Sequence, residues 1–396
     1  MTINGELLKS HWALQPGFTF LNHGTFGACP RPVLQAQTDL RHRMEANPVR
    51  FFEGELPALL DDAREQLADF IGAHRAEDLA FLPNVTSGVN TVLRSLLFAP
   101  GDELLITNHR YKAVDTAIDF VAQRSGAIKR VVDVPFPIHE PDAVLEAVLG
   151  AVNARTRLVI IDHVTSPTGL VFPIERLVAE LSERGVDTLV DGAHAVGMLP
   201  LQLEKLGAAY YTGNCHKWLC APKGSAFLWV RSDRQEGLSP LSISGAKSPF
   251  YHPNRFRLEF GWTGTIDPSP YLCVPTAIRT LKNLVEGGWP ALRAHNHALV
   301  LGARRLLCEA LGNSPAAPDS MIGSLATIIL PDSEHTVQSP TQVDALEASL
   351  SADYGIDVPV FNFSKSPRRL LRVSAQIYNT EEEYSRLVAA LRELLP

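Results

Sequence analysis

The chain has 396 residues, 45% of them hydrophobic and 20% charged, and its 36 basic and 43 acidic side chains leave a net charge of −7. That length suits two to three domains, or one large domain and a smaller one, and the composition excludes disordered and collagen-like architectures. With no basic excess and no long Lys/Arg run, an electrostatic footprint for nucleic acid is excluded too.

At the N-terminus, Glu6, Lys9 and His11 interrupt any apolar run, so no signal peptide is expected. No segment approaches the roughly 18 apolar residues that span a bilayer. Five cysteines, Cys29, Cys215, Cys220, Cys273 and Cys308, form an odd and sparse set. They fit a reducing compartment rather than a disulfide framework, and a cytoplasmic protein is expected.

Leu56, Leu59, Leu60, Ala63, Leu67, Ala68 and Ile71 define one apolar face of a helix over Glu55–Ile71. A strand at Leu79–Leu82 and a helix from Thr86 to Leu97 follow. Further strands are expected at Glu103–Thr107, Lys129–Val134, Arg157–Asp162, Asp187–Asp191 and Ala226–Val230. The helices between them fall at Val114–Arg124, Asp142–Val152 and Ile174–Arg184. Alternation of this kind predicts an α/β fold, a mostly parallel sheet with helices on both faces. The segment Ser239–Pro253 reads as a long loop. Beyond Gly264, helices over Pro275–Val285 and Trp289–Leu311, a few strands and a last helix over Thr380–Leu395 predict a smaller α+β unit.

Neither a GxGxxG after a strand nor a GxxxxGK[ST] is present. Cys215, His216 and Cys220 lack the second cluster that a four-ligand zinc site requires, so no metal is expected.

Three segments place reactive groups at the ends of predicted strands, where open α/β sheets bind ligands. In Leu189-Val190-Asp191-Gly192-Ala193-His194 an apolar strand ends in a carboxylate, although Asp191 would serve equally as a helix cap. In Tyr211-Thr212-Gly213-Asn214-Cys215-His216-Lys217-Trp218 a lysine follows a strand, flanked by His and Trp. A desolvated lysine titrates low enough to act as nucleophile or base, whereas a solvated one does not. In Asn84-Val85-Thr86-Ser87-Gly88 hydroxyls open a helix, which makes either a phosphate cradle or an ordinary N-cap. An anion site, a carboxylate for a pyridinium nitrogen and a Schiff-base lysine together describe pyridoxal 5′-phosphate (PLP).

With these residues the sequence resembles the isopenicillin N epimerase-like group of class V, fold-type I PLP enzymes. The resemblance also runs through Leu21-Asn22-His23-Gly24-Thr25-Phe26-Gly27, Glu55-Leu56-Pro57-Ala58-Leu59-Leu60 and His163-Val164-Thr165-Ser166-Pro167-Thr168-Gly169. Gly264-Thr265 and Leu371-Arg372-Val373-Ser374-Ala375 complete it. It implies a mostly parallel seven-stranded sheet in a large PLP-binding domain over residues 26–263. A small α+β domain would come from residues 1–25 and 264–396. It implies Lys217 as catalytic residue, bound to the cofactor and moving the Cα proton, with Asp191 on the ring nitrogen. Ala193 and Tyr111 would contact the two ring faces and His194 the phenolic oxygen. Thr86, Ser87, Asn214 and His216 would hold the phosphate, and Thr265 would reach the phosphate of a neighbouring subunit in a homodimer. Arg372, with Asn22 and His23, would bind the substrate, Arg372 taking its carboxylate.

Two reactions are compatible with that site: epimerisation of an amino-acid-like substrate at Cα, and elimination of a Cβ sulfur group. Epimerisation needs a second acid/base, for which Tyr111 and His109 are candidates. The stretch Val360–Arg369 holds no cysteine, which argues against a persulfide-forming desulfurase. Lys365, Arg368, Arg369, Arg255 and Arg257 would bind a distal carboxylate or form a solvated surface. A PLP-binding regulator without turnover is disfavoured by the presence of Lys217, Asp191 and Arg372 together.

Overall fold

The computed structural model describes residues 5–245, 255–332, 343–363 and 367–395. Twelve strands run through it in chain order: β1 (Thr19–Phe20), β2 (Leu79–Leu82), β3 (Glu103–Thr107), β4 (Ile128–Val132), β5 (Thr156–Asp162) and β6 (Asp187–Asp191), then β7 (Tyr210–Asn214), β8 (Ala226–Val230), β9 (Leu325–Ile329), β10 (Ile356–Asp357), β11 (Val360–Asn362) and β12 (Arg369–Ser374).

Seven strands form the central sheet in the order β2-β8-β7-β6-β5-β3-β4. The run from β7 to β4 is parallel, because each of β3 to β6 feeds a return segment that crosses a face of the sheet. β7 and β8 are joined by residues 215–225, which contain no helix, so β8 turns back antiparallel. β2 pairs antiparallel with β8 and closes that edge. Strands β7 and β8 are buried at every position, as a sheet covered on both faces requires. The covering helices include Val85–Ser95, Lys112–Ser125, Asp142–Ala151 and Ile174–Glu183.

A second, antiparallel sheet in the order β11-β12-β9 carries the C-terminal part, with helices Gly288–Ala310 and Glu381–Leu394 nearby. β1 pairs in parallel with β10, which ties the N-terminal segment to this part of the chain. No helix among the described residues is long and apolar enough to cross a membrane.

The structure shifts several predicted boundaries. The strand expected at Lys129–Val134 spans Ile128–Val132: it is an edge strand, with Ile128 and Val131 exposed, and the Val134 N–H turns to the Asn108 side chain at 2.9 Å. The helix Arg31–Ala46 had no apolar period to announce it, since only Val33 and Gln37 are buried. Of the loop predicted at Ser239–Pro253, residues 246–253 lie outside the described residues, as does Lys365.

Candidate active site

Parallel pairing places Asp162, Asp191 and Thr212 side by side, the two aspartates at the ends of β5 and β6 and Thr212 midway along β7. Asp191 is 4% exposed, and its Oδ1 accepts the Ala193 N–H at 2.9 Å. Burial raises its pKa, opposed by that hydrogen bond and by the charge of Lys217. Asp162, also buried, is pushed further up, first by burial and then by the Asp191 charge. Two carboxylates this close do not both ionise readily. Of the two, Asp191 has the Ala193 N–H and the nearby Lys217 charge opposing its rise. The sequence reading passed over Asp162, although its strand ends in a carboxylate as β6 does.

Lys217 lies just past β7, and its Nζ is 3.2 Å from His194 Nε2. Burial, then the charge of Arg372, lowers the lysine pKa to about 7, against the opposing pull of Asp191 and Asp162. His194 is held neutral by burial and by Lys217. Its Nδ1 accepts from Trp218 Nε1 at 3.5 Å, so its own proton sits on Nε2 and points at the lysine nitrogen. With a pKa of about 7 the amine gives up its proton near neutral pH, as a nucleophile or base at this position must.

The lysine backbone is held from outside the central sheet. His23 Nε2 is 3.1 Å from the Lys217 carbonyl oxygen, and its Nδ1 is 2.7 Å from the Tyr378 hydroxyl. Gly27, at φ +68°, packs so closely that a Cβ would lie 2.2 Å from the His216 carbonyl oxygen. Three residues after Lys217, buried Cys220 adopts φ +59°, its N–H bonded back to the Lys217 carbonyl at 3.0 Å. A non-glycine residue in that region is strained and persists only where its surroundings impose it.

The helix Val85–Ser95 starts beside the lysine loop. Asn84 caps it by accepting from the Ser87 N–H at 2.8 Å and from the Ser87 hydroxyl at 3.1 Å. Asn214 Oδ1 accepts the Val85 N–H at 3.1 Å and pins the helix start to the end of β7. Gly88 lets the helix lie on the sheet, since a Cβ there would come 2.2 Å from Thr212 Oγ1. Thr86 and Ser87 remain partly exposed at the positive end of the helix dipole, the geometry that receives an anion. His216 Nδ1 bonds the Ser225 carbonyl at 2.9 Å, which leaves Nε2 to meet such an anion. Burial lowers its pKa to about 4, and an adjacent dianion would restore the proton.

Arg372, on β12, is 1% exposed. Its Nη1 bonds the Ser166 carbonyl, its Nη2 is 3.1 Å from Thr25 Oγ1, and the guanidinium lies 4.6 Å over the Phe361 ring. Nε has no partner among the described residues. Burial brings its pKa down to about 9. Asn22 acts one step behind: its Oδ1 accepts from the Thr25 hydroxyl and its Nδ2 donates to Asp357 at 3.0 Å.

Several expectations change with these positions. His23 has both ring nitrogens on protein groups and no exposed surface, so it holds the Lys217 backbone and does not face a substrate. His109 is likewise committed, Nδ1 to Thr168 Oγ1 at 2.7 Å and Nε2 to the Val134 carbonyl at 3.1 Å. Its pKa is lowered to about 4 by burial, and it is not available as a second acid/base. Arg369 pairs with Asp344, Arg255 with Glu259 and Arg257 with Asp61, whereas Arg368 is exposed. Those three guanidinium groups are structural. Tyr111, at the start of helix Lys112–Ser125, is 48% exposed. Thr265 is exposed beside Val49, Phe52 and Trp262. Ala193 is partly buried one residue before His194.

These residues fit PLP: a low-pKa lysine, a buried carboxylate whose charge acts on it, a helix N-terminus lined by hydroxyls, and a buried guanidinium with a free N–H.

Comparison with known proteins agrees. The aminotransferase class-V family model matches residues 20–307. The chain is 39% identical to an isopenicillin N epimerase of Amycolatopsis lactamdurans, over 96% of each protein. It is 30% identical to a putative L-cysteine desulfhydrase of Oryza sativa subsp. japonica, covering 96% of this chain and 84% of the relative. A cysteine desulfurase structure from Escherichia coli superposes with a TM-score of 0.78 over the whole of both chains, at 20% identity.

Proposed function

On the premise that the chain belongs to the class-V aminotransferase family, we propose that it epimerises an amino-acid-like substrate at Cα. It is a PLP-dependent enzyme whose relatives include epimerases and C–S lyases. The observation that carries the proposal is Lys217, an amine with pKa about 7 aimed by His194 and flanked by Asp191.

When bound, PLP supplies an electron sink that makes the Cα proton of an amino acid acidic. Asp191 holds a proton at the cofactor's ring nitrogen. Ser87, Thr86 and the N–H groups of helix Val85–Ser95 bind its phosphate, with His216 Nε2 and Asn214 beside them. Arg372 takes the substrate carboxylate in two parallel N–H bonds and fixes the direction in which Cα presents its proton. Lys217 then moves that proton on its own side of the ring. With His109 committed elsewhere, Tyr111 is the candidate for the opposite side, and its exposure leaves the hydroxyl free to approach.

Thr265 completes the phosphate site of a second copy in a homodimer. The exposed apolar residues Val49, Leu241, Ile243 and Ile266, three of them lining hollows next to Thr265 and Trp262, support that pairing. Five buried, unpaired cysteines suit a reducing compartment such as the cytoplasm.

Elimination of a Cβ sulfur group is the second reading. It is favoured by the desulfhydrase relative and by the loss of His109 as an acid/base, because elimination needs no group on the second face. Incubation with candidate amino acids in deuterated water separates the two. Deuterium at Cα with the side chain retained supports epimerisation; release of pyruvate overturns it in favour of elimination. Borohydride reduction followed by peptide mapping should label Lys217, and a label elsewhere would remove it from its role.

A further inference from the structure

Three side chains stand in line behind the Arg372 guanidinium, and each bond between them has a direction. Arg372 Nη2 donates to Thr25 Oγ1 at 3.1 Å, the Thr25 hydroxyl donates to Asn22 Oδ1, and Asn22 Nδ2 donates to Asp357 Oδ1 at 3.0 Å. Folding brings these residues together from both ends of the chain. β1 pairs in parallel with β10, and the Leu21 N–H bonds the Asp357 carbonyl at 2.9 Å. The Gly24 N–H bonds Ser374 Oγ at 3.0 Å, which seats the same segment on β12 beside Arg372.

The two ends of the line leave no choice of direction. A guanidinium only donates and a carboxylate only accepts, whereas a carboxamide and a hydroxyl can do both. Asp357 draws the amino side of the Asn22 amide toward itself, so Oδ1 faces Thr25. Thr25 then directs its one hydrogen at Asn22 and keeps a lone pair for Arg372. With the amide reversed, Asn22 would donate to Thr25, and the hydroxyl hydrogen would turn toward Nη2, donor against donor. Asn22 and Arg372 are both buried, so water has little room to stand in for a lost partner.

We propose that Asp357 and Thr25 are positioning residues that hold Arg372 in the orientation in which it takes a substrate carboxylate. The inference rests on Arg372 as the carboxylate handle and holds for either reaction at Lys217. Thr25 fixes Nη2 and the Ser166 carbonyl fixes Nη1, so the guanidinium plane is set before a substrate arrives. A handle oriented in advance loses less freedom on binding.

Glycine and methylamine differ by the carboxylate, and titration of each into the holoenzyme is followed by the absorbance of bound PLP. The parent protein should respond to glycine at far lower concentration than to methylamine. Asp357→Leu and Thr25→Val should each weaken the glycine response about tenfold, as loss of a hydrogen bond to a charged group does, and leave the methylamine response in place. Thr25→Ser keeps the hydroxyl and should match the parent. In the exchanged pair, Asn22→Asp with Asp357→Asn, a carboxylate still faces the Thr25 hydroxyl, so glycine binding should return toward that of the parent. Thr25→Val and the exchanged pair carry the test even where Asp357→Leu does not fold. Glycine binding unchanged in Thr25→Val, an equal loss for glycine and methylamine, or an exchanged pair as weak as Thr25→Val would each overturn the proposal while leaving Arg372 as the handle. Equal responses to glycine and methylamine in the parent protein would overturn the role of Arg372 itself, and the proposal with it.

Discussion

The imidazole of His23, from the N-terminal segment, holds the backbone carbonyl of Lys217, two residues 194 positions apart in sequence, at 3.1 Å. Its other nitrogen meets the Tyr378 hydroxyl at 2.7 Å, so one ring joins the lysine loop to the C-terminal part of the chain. His23→Phe keeps an aromatic ring but removes both bonds and leaves the Tyr378 hydroxyl buried without a partner. A loss of about 1–3 kcal/mol in stability is expected. Because the lysine would be less well placed, kcat should fall while KM changes little. An increase in KM with kcat intact would instead put His23 back on the substrate.

The low pKa of Lys217 sets a pH profile. Above about 7 the folded protein has released the lysine proton, whereas the unfolded chain keeps it up to about 10.5. The cofactor-free protein should therefore gain stability as pH rises through that window. Its rate of PLP capture should climb through about 7 and level off. The Arg372 charge is one of the causes of the depression, so Arg372→Leu should move the capture midpoint to higher pH. A midpoint that stays in place would separate the two groups electrostatically.

Arg372→Lys tests whether geometry or charge matters at the substrate handle. The guanidinium reaches Ser166, Thr25 and the face of Phe361 at once, which an ammonium cannot reproduce. KM should rise by roughly one to two orders of magnitude, equivalent to about 1.5–3 kcal/mol. The absorbance of bound PLP should persist. Kinetics like those of the parent protein would remove Arg372 from this role.

Gly88→Ala would place a methyl group 2.2 Å from Thr212 Oγ1, inside the seam between helix Val85–Ser95 and β7. Overpacking of this kind costs about 1–3 kcal/mol. Since the same helix start carries Ser87 and Thr86, weaker PLP retention should accompany the fall in Tm. A variant that loses Tm but keeps its PLP affinity would uncouple the seam from the phosphate site.

His109→Asn should lower stability, since Thr168 and the Val134 carbonyl lose their common partner. The pH dependence of Cα proton exchange should keep its shape. Disappearance of one limb of that profile would reinstate His109 as an acid/base.

Much of the fold and of the site is legible in the chain itself. Alternating apolar runs and helical periods predicted the strands Glu103–Thr107 and Asp187–Asp191 at their observed limits. Residue type and order along the chain placed Asp191, Lys217 and the Thr86–Ser87 turn at strand ends, because local pattern and turn chemistry are short-range properties. What the sequence alone determined was therefore the class of sheet, the identity of the cofactor group and the short segments that meet it.

Tertiary structure decided which groups are free to act. Nothing near His23 or His109 in sequence reveals that Tyr378, Lys217, Thr168 and Val134 occupy their ring nitrogens, since these partners lie as far as 355 positions away. The same holds for Asp162, which matters because parallel pairing sets it beside Asp191, and for Arg255, Arg257 and Arg369, which folding commits to Glu259, Asp61 and Asp344. Hydrogen-bond occupancy, burial and the resulting pKa depend on atoms brought together through space. Net charge alone does not distinguish an arginine that binds a substrate from one that binds its own fold.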